Sequence, residues 1–139
     1  MRLINKLIIH CSDSEWGTVQ EIDKWHKARG WSGCGYHYVI LNGIFDSRGY
    51  CFKALDGQIC TGRPLQRIGA HCRGHNRDSI GICLIGKKDF TDAQFRSLIA
   101  LVSELKMVLR VNSVYGHNHF NRHKTCPNFD INRVLTYDF

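Results

Sequence analysis

Residues 80–85 read IGICLI and end at Gly86, an unbroken apolar run of strand length that has to lie inside a sheet. Lys6–His10 (KLIIH) is a second short apolar run of the same kind, and it exits into His10-Cys11-Ser12-Asp13. Tyr36–Leu41 (YHYVIL) is a third strand, with Gly33 and Gly35 ahead of it and Asn42-Gly43 behind. Two helices separate these runs. Thr18–Arg29 opens with Thr18 and Glu21 at capping-box spacing, sets Val19, Ile22, Trp25 and His26 on one face, and has Gly30 to end it. Thr91–Arg110 repeats the box with Thr91 and Gln94 and carries the stripe Phe95, Leu98, Ile99, Val102, Leu105 and Leu109. Strands interleaved with helices predict one α/β domain over residues 1–139, a central mixed β-sheet flanked by about three helices.

The remaining segments fill in around this frame. Asn-Gly between apolar segments signals a hairpin, so a strand is expected from about Ile44. A second hairpin is expected through Tyr50–Ala54 and Gln58–Thr61 around Asp56-Gly57. Residues 62–79 are basic, glycine-containing and weakly periodic, a long surface loop of the kind that is functional or disordered. Ser113–Gly116 reads as a short strand and Asp130–Leu135 as a short helix. No repeat, low-complexity tract or linker interrupts the chain.

Charge and cysteine content bound the setting. The net charge of +7 favours a polyanionic partner: nucleic acid, an anionic membrane surface or an acidic wall polymer. Seven cysteines, an odd number with no Cys-x-x-Cys pair, argue against a disulfide framework and for a reducing compartment. The N-terminal MRLINKLIIH has neither a long apolar core nor a small-residue cleavage site, and no run reaches transmembrane length. A cytoplasmic protein with no stable membrane insertion is expected.

The chemistry gathers in Gly116–Phe129, GHNHFNRHKTCPNF. His117 and Cys126 are too far apart for one helical turn, but they converge if a strand ends near His117 and the chain returns at Cys126. Pro127 stiffens that return and holds the residue before it extended. An imidazole and a thiolate suit zinc, and a catalytic zinc takes three protein ligands and leaves one position open. His10, at the exit of a buried strand, is the third candidate, although a histidine there is as readily a core residue bonded to backbone. His119, two positions after His117, is a rival ligand if the strand continues. Cys11 should point away from His10. A Cys-His hydrolase with Cys126 as nucleophile is the competing reading.

The segments IIHCSDS, WHKARGW, GYHYVI, TGR, GAHCRGHNRDSIGICL and HKTCPNFD, in that order over almost the whole chain, resemble the zinc-dependent N-acetylmuramoyl-L-alanine amidases. The resemblance is greatest to the small phage lysozymes of amidase type, and peptidoglycan-recognition proteins are a related group. It implies hydrolysis of the amide between N-acetylmuramic acid and L-alanine in peptidoglycan. It implies Zn2+ held by His10, His117 and Cys126, with Tyr36 and Lys124 catalytic. It places His71 and Asn76 among the residues lining the substrate groove. His75 and His123 carry no argument beyond surface charge.

The expected setting follows from that resemblance: a monomeric phage or prophage endolysin, cytoplasmic in the producing cell and acting on the wall after release by a membrane-permeabilising partner. Two other readings differ in class. A non-hydrolytic peptidoglycan-binding module would not need the Cys126 thiolate. An added role in binding nucleic acid or a polymerase rests on charge alone; the chain shows no basic helix or RNA-binding aromatic motif, and no nucleic-acid partner is expected.

Overall fold

The two apolar runs of strand length lie side by side at the centre of a sheet. The computed structural model describes residues 2–136. Strands β1 (Lys6–Cys11) and β4 (Ser79–Leu84) pair in parallel over their whole length, Lys6 against Ser79 through Cys11 against Leu84. Strand β2 (Tyr38–Ile40) joins the free side of β4 in parallel, and β5 (Ser113–Gly116) joins the free side of β1. Strand β3 (Ile59–Thr61) closes the sheet as an antiparallel edge on β2, giving the order β3-β2-β4-β1-β5.

Alternation along these strands sorts the core into two layers. Leu7, Ile9, Ile40, Ile80, Ile82 and Leu84 meet Leu98, Leu101, Val102 and Leu105 of helix α2 (Asp92–Leu109) on one face. Ile131 of helix α4 (Ile131–Leu135) joins the same layer. On the other face Val39, Leu41, Cys83 and Ile85 pack with Ile22 of helix α1 (Val19–Ala28). Each fully enclosed Ile or Leu contributes roughly 2 kcal/mol of transfer free energy. His10 lies opposite Cys83 in the ladder, so alternation turns it to the α1 side, away from the larger core.

Both helix starts form as the sequence predicts. Thr18 accepts from Glu21 N–H at 3.1 Å, and Thr91 and Gln94 make the full reciprocal box. Gln94 does more than cap. Its amide is enclosed and donates to Ile85 O at 2.8 Å and to Ile40 O at 3.2 Å, tying the start of α2 to the ends of β4 and β2. Ile99 is only half-buried, and Leu101 takes a core position instead.

Three expectations fail between residues 36 and 61. The strand at Tyr36–Leu41 shortens to Tyr38–Ile40. No strand begins at Ile44: Asn42 Oδ1 accepts from Ile44 N–H and Gly43 adopts a φ of 84°, so the turn leads away from the sheet, leaving one bridge between Ile44 and Cys51. Lys53–Leu55 is a 3-10 turn rather than part of a strand at Tyr50–Ala54, and Ile59–Thr61 pairs back on β2. The antiparallel partner of β2 therefore comes from beyond a long excursion. Asn-Gly fixes a reversal of the chain, but the strand that returns is chosen by burial against the sheet.

Candidate metal centre and active-site groove

His10 occupies the next-to-last position of β1, and its side chain is enclosed. His117 follows β5 directly and opens a single helical turn, α3 (His117–Phe120). The sharp change of direction depends on Gly116, where a Cβ would meet Pro127 Cδ at 2.9 Å and Ile131 Cδ1 at 3.3 Å. Cys126 returns on the loop after α3, where its carbonyl accepts from Asn118 N–H at 2.9 Å. Its Sγ accepts from Cys11 N–H at 3.0 Å, a bond between residues 115 apart in sequence. A donor atom from each of His10, His117 and Cys126 lies within 4.8 Å of the other two. Three remote segments thus deliver two imidazoles and a thiol to one point.

His119 is not part of that group. The strand stops at Gly116, so the expected shared face with His117 does not form, and His119 stacks on Tyr115 with centroids 4.5 Å apart. Cys11 is also outside the group, although its thiol lies beside that of Cys126 and accepts from Asn128 Nδ2 at 3.6 Å.

Electrostatics favour the uncharged forms of the donors. Burial, then the neighbouring rings of His71, His117 and His26, hold the His10 pKa well below its usual value. Burial, then the charge of Lys124, lowers that of His117. The adjoining Cys11 thiol and burial push the Cys126 thiol up, against the Cys11 N–H that favours its thiolate. Tyr36 sits with its ring 5.1 Å from that of His10, and burial followed by nearby cysteines raises its phenol well above the usual range. It is a neutral O–H donor at any working pH.

Tyr36 is held from both sides. His26 Nδ1 accepts from Gly35 N–H at 2.8 Å, and Arg63 N–H donates to Tyr36 O at 2.9 Å. A Cβ on Gly35 would fall 2.0 Å from Ala70 O, so only glycine fits before Tyr36. His26 is therefore more than one member of a helix face, as its place in the sequence suggests. The available signal is a polar residue on an otherwise apolar stripe.

All seven sequence-predicted site residues line one groove of about 1110 Å3: His10, Tyr36, His71, Asn76, His117, Lys124 and Cys126. Lys124 stands exposed on its wall. His71 is enclosed, while Asn76 Oδ1 accepts from the backbone N–H groups of His71 and Cys72 at 3.0 and 2.9 Å and so shapes the loop. Trp31 and Phe120 also line the groove, on surfaces that sequence reasoning assigned no role. An exposed tryptophan between Gly30 and Gly33 was the available signal for the first of these.

Residues 1–129 match the family described as N-acetylmuramoyl-L-alanine amidase. The chain belongs to that family. This amidase is similar to the endolysin of Klebsiella phage KP32, 34% identical over 140 residues that cover 93% of this chain and 83% of the relative. Its fold superposes on N-acetylmuramoyl-L-alanine amidase LysC from Clostridium intestinale URNW with a TM-score of 0.81 at 30% identity, covering 96% of this chain and 83% of that one. Drosophila PGRP-LB shares the fold, with a TM-score of 0.71 at 24% identity over 91% of this chain and 76% of that one. The amidase is endolysin-like, and no helix among its described residues is long and apolar enough to cross a membrane.

The enclosed imidazoles should make the fold of the amidase acid-sensitive. Burial lowers both His26 and His37 to about 4, against about 6.5 in an unfolded chain. The unfolded state then binds more protons than the folded one between these values, so stability falls as pH drops through that window. Urea unfolding at about pH 7.5 and about pH 5 should give a lower midpoint at the acid end. Equal midpoints would show that these rings are not kept neutral by the fold.

Proposed function

We propose that this amidase cleaves the bond between N-acetylmuramic acid and L-alanine in peptidoglycan with Zn2+ held by His10, His117 and Cys126. The observation that carries the reading is the meeting of those three donor atoms within 4.8 Å on the wall of the groove. Two neutral imidazoles and one sulfur are a donor set suited to zinc, and three protein ligands leave a position free. A zinc ion bound there supplies Lewis acidity toward the amide carbonyl and makes water more acidic.

The residues around it do the rest. The Tyr36 phenol, neutral and close to His10, donates a hydrogen bond toward charge developing on the amide oxygen. Lys124 brings a fixed positive charge to the same wall, near enough to act on His117. His71 and Asn76 line the groove along which the glycan-peptide lies, and Asn76 fixes their loop. The Cys126 sulfur lies within 4.8 Å of a donor atom from both His10 and His117, the placement of a metal ligand, and a zinc ion there would hold it as the thiolate.

The protein acts as a monomer on the wall after release from the producing cytoplasm through a membrane-permeabilising partner. Its net charge of +7 favours adsorption to an anionic wall.

Mass spectrometry of peptidoglycan digested with and without a chelator tests this reading. The expected products are a free lactyl-muramic end and a free L-alanine amino end, abolished by chelator and restored by zinc. Activity indifferent to chelation, or an acyl adduct on Cys126, would replace the metal reading with the cysteine one.

A further inference from the structure

His10 has two ring nitrogens, and only one is free for a metal. Its Nε2 lies 2.8 Å from His71 Nδ1, within the protein interior. The His71 ring is itself confined. A Cβ on Gly81 would meet that ring at 2.6 Å and one on Gly69 would meet it at 2.7 Å, so two glycines open the slot it fills. On its far side, His71 Nε2 lies 3.3 Å from Ser79 Oγ, and Ser79 donates to His75 O at 2.7 Å.

We propose that His71 is a positioning residue that fixes the tautomer and orientation of His10, so that His10 presents Nδ1 to the metal. The inference rests on the zinc reading above and deepens it. The direction of every bond follows from chemistry. A neutral imidazole that ligates through Nδ1 carries its proton on Nε2. His10 Nε2–H then donates to His71 Nδ1, which must be bare. His71 therefore carries its proton on Nε2 and donates to Ser79 Oγ, whose own proton is committed to the His75 carbonyl. The chain of donors runs from the ligand to a backbone carbonyl without conflict. It also ties the ligand to the basic loop before β4, a segment with no metal donor in the proposed set.

Metal-bound imidazoles generally need such an outer partner, and losing one weakens metal affinity roughly 10–100-fold. Three readings on full-length protein test the assignment. His71→Leu removes the acceptor, whereas His71→Asn, although smaller, keeps an oxygen where Nδ1 stood. Zinc affinity by competition with a chelator should fall roughly 10–100-fold in His71→Leu and return to within a few-fold in His71→Asn. The visible spectrum of cobalt-loaded protein should shift in the first variant and recover in the second. Nitrogen NMR of zinc-loaded wild type should find the proton on Nε2 in both His10 and His71, a result that does not depend on either variant folding. Unchanged zinc affinity in His71→Leu, no rescue by His71→Asn, or a proton on His10 Nδ1 in the loaded protein would overturn the inference while leaving the zinc reading intact. A wild-type protein that takes up no zinc would overturn both.

Discussion

Cys126→Ser should give a folded protein that has lost its zinc and its activity together. Serine still accepts from Cys11 N–H, so the contact that seats the loop on β1 survives. A neutral hydroxyl is a far poorer zinc donor than a thiolate. His117→Ala removes a proposed ligand from a half-buried turn and should behave alike. Either loss should exceed the roughly 10–100-fold typical of removing an outer partner. Cys11→Ser is the control, since Cys11 is outside the three-donor group and should keep the metal. Metal content after dialysis against zinc gives the answer. Full occupancy in Cys126→Ser and His117→Ala would remove both residues from the metal.

Tyr36→Phe and Lys124→Ala should each keep zinc and fold while losing roughly a hundredfold or more in turnover, the scale for one oxyanion-stabilising donor. Phenylalanine keeps the ring contacts with His10 and His26 and deletes only the hydroxyl. Lys124 is exposed, so its removal empties no core. With both groups acting, as proposed, on charge that develops during reaction, kcat and kcat/KM should fall together. Lys124→Arg keeps the charge with a different donor geometry, and partial recovery there points to electrostatic stabilisation. Wild-type turnover in zinc-loaded Lys124→Ala would dismiss that residue from the chemistry.

The strands with uninterrupted apolar content were readable because burial on both faces leaves no polar residue to confuse the period. KLIIH and IGICLI therefore became the central pair. The helices were readable because Thr18 and Thr91 announce their starts with specific hydrogen bonds. Residues 42–58 were not, because Asx turns and glycines at positive φ fix local reversals without saying which strand the chain will meet next. At the site, His10, His117 and Cys126 could be ordered by motif but not brought together by it. Their meeting depends on a turn at Gly116 that ends β5 one residue before His117. The same turn brings His117 beside His10 and Cys126 rather than His119, which strand periodicity would have put on the same face. His71 read as a groove residue, and its bond to His10 is a contact across 61 positions that no local pattern encodes.

The position of β1 has a consequence for how the enzyme comes into being. Strand β1 precedes β4 and β5 in the chain yet lies between them, so it has no lateral partner until the chain has been made through Leu84, and none on its other edge until Gly116. Its final link, from Cys11 to the sulfur of Cys126, waits longer still. Contacts of such long sequence separation form late and slow folding. A nascent or prematurely ended chain that stops before Cys126 therefore holds at most two of the three donors. The cell that synthesises this hydrolase meets it first as a polypeptide whose three-donor group is not yet complete.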